Sequence, residues 1–220
     1  MLLTAFAAAA NGDNGSQQTG FFETTHEEIT WQFYVPPNYN PEQPAGLLVY
    51  ISPTPSGAMP KKWRSVMDDN NLIWIGADKS GNRITASRRV LLSLLAVDRV
   101  KEDYVIDEDH VYLSGFSGGG RVASRVIIDN TDVFTGGLFF CGADLWHLDT
   151  SPSLKAMREH RFVLITGTLD QALEPVKRTY RGYRKAGIEN TKLMNIRGMG
   201  HSTPRRSDFA KAIAFLLDNQ

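Results

Sequence analysis

Short, almost uninterrupted apolar runs recur along the chain: "LLVYI" (47–51), "LIWIGA" (72–77), "VYLSG" (111–115), "LFFCG" (138–142) and "FVLITG" (162–167). Runs of this length without polar alternation are expected where a strand is covered on both faces, as in a parallel sheet. "ITWQFYV" (29–35) alternates apolar and polar positions instead, which predicts a half-exposed strand, and "PPNYNPEQPAG" after it reads as a proline-rich loop. Between the runs lie segments of helical period. One spans 84–101, and one spans 121–129 with Val122, Val126 and Ile127 on a face. A more polar one covers 173–185. The last runs from Pro204 with Phe209, Ile213, Leu216 and Leu217 along one stripe, and Ser202 or Thr203 is its expected cap. Strands alternating with helices at this spacing predict an α/β fold, a doubly wound and mostly parallel sheet with helices on both faces.

Composition narrows the possibilities further. Lysine plus arginine and aspartate plus glutamate both number 24, so the formal charge is zero and the broad basic footprint of a nucleic-acid binder is missing. The pairs Arg88-Arg89 and Arg205-Arg206 fall in helical segments and read as solvated faces. No apolar stretch reaches the roughly 18–20 residues that span a bilayer. At 220 residues the chain can bury a full core without disulfide or metal, and its single cysteine, Cys141, reads as a small buried hydrophobe. Residues 1–20, "MLLTAFAAAANGDNGSQQTG", pass from apolar to polar through alanines. That suits the end of a secretory signal with an Ala-x-Ala cleavage site at Ala8–Ala10, although a basic leader is lacking; a floppy tail is the alternative. Residues 21–220 are expected to form one domain, in a secreted or periplasmic protein, or a cytoplasmic one if the start is no signal.

The chemistry gathers around "VYLSGFSGGGRVAS" (111–124). Gly115-Phe116-Ser117-Gly118-Gly119 fits G-x-S-x-G, the sharp strand-to-helix turn that lifts a serine clear of the sheet. The glycines permit the bend, and the helix start behind Ser117 favours negative charge there. A dinucleotide fingerprint is disfavoured, because residue 117 is serine and the strand lies mid-chain. A serine hydroxyl needs a base, and the base needs a carboxylate to orient it. Asp170 follows the run "FVLITG", and His201 sits in "GMGHSTP" after the last strand-like run. His147, Asp144 and Glu174 are the weaker competitors, with His26, His110 and His160 poorly placed.

With the elbow, acid and histidine in this order, the chain resembles the α/β-hydrolase superfamily, and more narrowly the compact esterases related to polyhydroxybutyrate depolymerases and feruloyl esterases. The resemblance runs from Tyr34 to the C-terminus and rests on "YVPPNYNP", "YVIDEDHVYLSGFSGGGRVA", "GTLDQALEP" and "GMGHS". It implies a serine carboxylesterase acting through an acyl-serine with Ser117, Asp170 and His201, without metal or cofactor, on a small or polymeric ester. It also implies an oxyanion hole from the N–H groups of Gly118 and of Thr54. Here the chain departs from the family, since "VYISPTPSG" has Ser52-Pro53 where His-Gly is usual. Prolines cannot donate, so Thr54 or Ser56 must supply the second N–H, or the loop shapes the acyl pocket. Short gaps between the runs leave no room for a large lid, and Trp146 is a candidate wall beside Ser117. A serine peptidase or dienelactone-type hydrolase with the same triad, and a weakly catalytic binding module, remain alternatives.

Overall fold

The computed structural model describes residues 28–218, so the expected signal segment lies outside the described residues. Seven strands form one sheet: β1 (Trp31–Tyr34), β2 (Ala45–Ile51), β3 (Leu72–Ala77), β4 (Ile106–Phe116), β5 (Gly136–Phe140), β6 (Arg161–Gly167) and β7 (Thr191–Ile196). Their order is β1-β3-β2-β4-β5-β6-β7. Only β1 runs antiparallel, Trp31 lying opposite Ala77 and Tyr34 opposite Trp74. The apolar runs became the central parallel strands, and the alternating run became the edge.

Among the described residues five α-helices connect them, α1 (Arg64–Asp69), α2 (Ala86–Asp103), α3 (Gly118–Asp129), α4 (Leu154–Glu159) and α5 (Leu173–Lys185), and α6 (Arg206–Leu217) follows β7. Side chains alternate across the sheet, so each strand feeds two cores. Leu47, Val49 and Ile51 pack with Ala96, Val97 and Val100 of α2, Val122 and Val126 of α3, and Val176 of α5. Leu48 and Tyr50 point to the other side, against Val66 and Met67 of α1 and Phe209, Ile213 and Leu216 of α6. The short helices α1 and α4 lack enough turns to show a period in sequence. The cap expected for α6 is not formed. The N-cap is Arg205, with no side-chain hydrogen bond, because Ser202 and Thr203 belong to an intervening turn.

The chain reverses its direction of travel across the sheet after β3, so β4 pairs with β2. A crevice opens at the carboxyl ends of strands where the order reverses in this way. The loops after β2 and β4 therefore meet without being neighbours in sequence.

On the α6 side, a 3₁₀ turn (Lys61–Trp63) delivers Trp63, which is fully buried. Its ring stacks on Phe209 at 4.2 Å between centroids, and its indole N–H donates to Pro204 O at 3.3 Å. Lys62 Nζ donates to Thr203 O at 3.1 Å. These contacts fix the segment between β7 and α6 that carries His201. Trp63→Ala is expected to cost about 3–5 kcal/mol by cavity formation and lost stacking, to be read as a lowered urea midpoint at constant m-value. A loss below about 1 kcal/mol would contradict this account of how α6 is anchored.

Candidate active site

Ser117 sits between β4 and α3 with φ 54° and ψ −120°, a conformation that L-residues seldom adopt. Such backbone strain costs on the order of 1–3 kcal/mol and persists only when neighbours enforce it. The enforcement here is close backbone packing. A Cβ on Gly119 would stand 1.9 Å from Ile51 O, and one on Gly115 would stand 2.4 Å from Gly119 C. Ser117 N–H donates to Phe140 O at 2.8 Å, tying the turn to β5. The helix begins at Gly118 itself, three residues earlier than its apolar period shows, so the glycines form its first turn rather than a loop before it.

His201 Nε2 lies 2.8 Å from Ser117 Oγ, and His201 Nδ1 lies 2.7 Å from Asp170 Oδ1. The carboxylate can only accept, so Nδ1 carries the proton and Nε2 accepts from the serine hydroxyl. The three side chains come from the turns after β4, β6 and β7, at the carboxyl edge of the sheet. The acid and histidine loops are also bonded to each other: Leu169 N–H donates to Met199 O at 3.0 Å, and Gly198 N–H to Thr168 Oγ1 at 2.9 Å. Phe116 supports the imidazole from the side, its ring centroid 5.1 Å away.

Asp170 is buried. Burial by itself raises its carboxyl, but hydrogen bonds from Cys141, Ala172 N–H, His201 and Thr166 outweigh that and hold it below the usual carboxylate range. Ala172 N–H donates to Oδ1 and Thr166 Oγ1 to Oδ2, both at 2.9 Å. Cys141, a plain core residue in the sequence, thus lies under the acid, with its Sγ 3.4 Å from Ser202 O as well. Burial, reinforced by the neighbouring carboxylate, pushes its thiol up. Cys141, Asp170 and His201 place potential ligand atoms within 4.8 Å of one another. A thiol held protonated is poorly suited to metal, which needs thiolate, and both imidazole nitrogens are already engaged.

The competing groups lie elsewhere. His147 pairs with Asp129 at the end of α3, Asp144 with Arg125, and Glu174 with Lys177. His110 pairs with Asp107 at the amino-terminal half of β4, and His160 caps α4; His26 lies outside the described residues. The ring of Trp146, the candidate wall, lies over the Arg125 guanidinium at 4.6 Å, a cation–π contact. The Thr54 N–H donates to Ser52 Oγ at 3.1 Å, so the donor expected of the β2 loop is already engaged. Gly118 N–H, the first of α3, has no partner within the helix.

Arg89 was not legible as part of this region. It is only 4 % exposed, not on a solvated face. Its Nη2 donates to Ser52 O at 2.8 Å, and its Nη1 lies 3.5 Å from both Gly118 O and Asn82 Oδ1. Burial lowers its pKa, partly offset by Tyr50. The guanidinium braces the β2 loop against the start of α3.

Because the folded carboxyl of Asp170 titrates below its unfolded value of about 3.9, its ionised form stabilises the fold above that pH. The contribution is lost as pH falls through the folded value. Asp170→Asn should therefore show its largest stability deficit above about pH 5, narrowing on acidification below about pH 4. Denaturant midpoints across pH 3–7 check this, and a pH-independent deficit would contradict it.

Comparison with protein-family models and with curated protein sequences gives no match. Solved structures do match. The feruloyl esterase module from Clostridium thermocellum, complexed with sinapinate, superposes with TM-score 0.68 at 15% identity over 86% of this chain and 84% of that one. The thermophilic esterase Est2 of Thermogutta terrifontis, with butyrate bound, gives 0.60 at 16% identity over 93% and 94%. A thermostable esterase gives 0.64 at 14% identity over 92% of this chain and 60% of its own. With its strand order, its switch point between β2 and β4 and these superpositions, the chain has the α/β-hydrolase fold.

Proposed function

We propose that the protein is a serine carboxylesterase that hydrolyses a small or polymeric carboxylic ester through an acyl-serine. The observation that carries this reading is the continuous line from Ser117 Oγ through His201 to Asp170, with both contacts at hydrogen-bond length. Ser117 Oγ adds to the ester carbonyl while its proton passes to His201 Nε2. The imidazolium is stabilised by the buried Asp170 carboxylate, and it then protonates the leaving alcohol. Water repeats the sequence on the acyl-serine, with His201 as its base. The chain's own groups complete this chemistry, and no step calls on a cofactor. Solved proteins of the same fold include esterases and a feruloyl esterase, with which an ester substrate is in keeping.

The connections after β6 and β7 are short and cross-bonded, which supports an open cleft rather than one under an inserted lid. Short soluble esters fit such a cleft, so turnover should not rise at lipid interfaces.

Ser117→Ala, His201→Ala and the double variant are each expected to lose on the order of 10⁶-fold in kcat on an aryl ester, because the pair works as a unit. Multiplicative losses in the double variant would contradict the mechanism. A fluorophosphonate should label the wild type at Ser117. A folded protein that resists labelling would favour a binding module, and amide turnover comparable to ester turnover would favour a peptidase.

A further inference from the structure

When Ser117 Oγ bonds to a carbonyl carbon, the π pair moves onto the oxygen, and this charge calls for at least two aimed donors. Gly118 N–H supplies one. The β2 loop offers little for the second. Pro53 and Pro55 have no N–H, and Thr54 N–H is held by Ser52 Oγ at 3.1 Å. Gly57 N–H donates to Asp78 Oδ1 at 2.9 Å and Ala58 N–H to Ser56 Oγ at 3.2 Å. That leaves Ser56 N–H, on the exposed turn beyond Thr54.

The loop after β3 presents a different kind of donor. Asn82 N–H donates to Pro53 O at 2.9 Å, which fixes the residue beside the β2 loop. Its carboxamide lies directly against the residue after the nucleophile. A Cβ built on Gly118 would stand 2.2 Å from Asn82 Oδ1 and 2.9 Å from Asn82 Nδ2, so the glycine at 118 makes room for this side chain. Arg89 Nη1 faces Oδ1 at 3.5 Å. A guanidinium has only donors, so the oxygen end must be the one turned toward it. The Nδ2 end is then directed away from Arg89, and it makes no hydrogen bond among the described residues. Asn82 is exposed, so this amide is open to a ligand.

We propose that Asn82 Nδ2–H is the second oxyanion donor, working beside Gly118 N–H, with Arg89 as its positioning residue. The assignment rests on the ester-hydrolase reading above. A side-chain amide here takes the place of the Thr54 N–H that Ser52 Oγ holds. As the tetrahedral centre forms, Asn82 and Gly118 receive its oxygen, while the serine proton rests on His201 Nε2. When the centre collapses, the C–O bond to the alcohol breaks, the proton follows the alcohol, and the two donors release the carbonyl.

The test uses the full chain with Asn82→Ala and Asn82→Asp, assayed for kcat and KM on p-nitrophenyl acetate. Inhibition by an alkyl trifluoromethyl ketone, which forms a tetrahedral adduct with the serine, is measured in parallel. The expected result is a fall in kcat of roughly 10²–10³-fold, with KM moving by less than about 3-fold and the ketone weakening in proportion to kcat/KM. The Asp variant should be the more damaged, since it brings negative charge toward the oxyanion. Unchanged melting of both variants would separate this loss from a structural one. If both keep kcat within about 3-fold of wild type, or lose only in KM, the assignment is overturned. A large loss in Ser56→Pro beside active Asn82 variants would place the donor at Ser56 instead. A wild type that neither turns over esters nor forms a fluorophosphonate adduct would overturn the ester-hydrolase reading itself, and this inference with it.

Discussion

The carboxyl edge of the sheet depends on how tightly the backbone after β4 is wedged between its neighbours. Ser117 holds a left-handed φ because residues 115–120 have nowhere else to go, with Ile51 O pressed against Gly119 and Gly115 pressed against the first turn of α3. An unbranched backbone is what makes this spacing available, and a single methyl group in the turn would separate strand from helix. The strain is local, yet it is held by two neighbouring strands, β2 through Ile51 and β5 through Phe140. The position of the hydroxyl is thus a property of the sheet and not of a flexible loop.

Electrostatics reinforce that geometry. The buried Asp170 carboxylate is kept ionised by donors from four directions: a main-chain N–H, a threonine hydroxyl, a thiol and the imidazole. In the proposed mechanism a carboxylate this well satisfied would stabilise the imidazolium rather than take its proton. On the opposite side of the serine, the buried Arg89 guanidinium adds positive charge behind Gly118 and the β2 loop, where an oxyanion would form. Negative charge behind His201 and positive charge behind Gly118 would favour the redistribution of charge that the proposed reaction requires.

Sequence patterns made much of this legible. The uninterrupted apolar runs gave the central strands because burial on both faces leaves no polar phase. The glycine-bounded Ser117 marked its own turn, and order along the chain pointed to Asp170 and His201, which the structure brings together. What stayed hidden depended on contacts distant in sequence. Arg89 looked like one of a solvated pair, since nothing local shows that loops after β2 and β4 close over it. Cys141 gave no sign of Asp170, because they meet only when β5 and β6 pair. The contact of Trp146 with Arg125 was equally invisible without the geometry of α3. The helices α1 and α4 were too short to show a period.

The hydrogen bonds that join the acid and histidine loops, together with the Trp63 anchor on Pro204, have a consequence for how the molecule fails. The histidine loop cannot swing out on its own, because it is stitched both to the neighbouring strand end and to the core beneath α6. Local opening at this edge would have to disrupt packing that the whole domain shares. Heat inactivation should then coincide with cooperative melting, leaving no interval in which an intact fold carries a dislocated histidine.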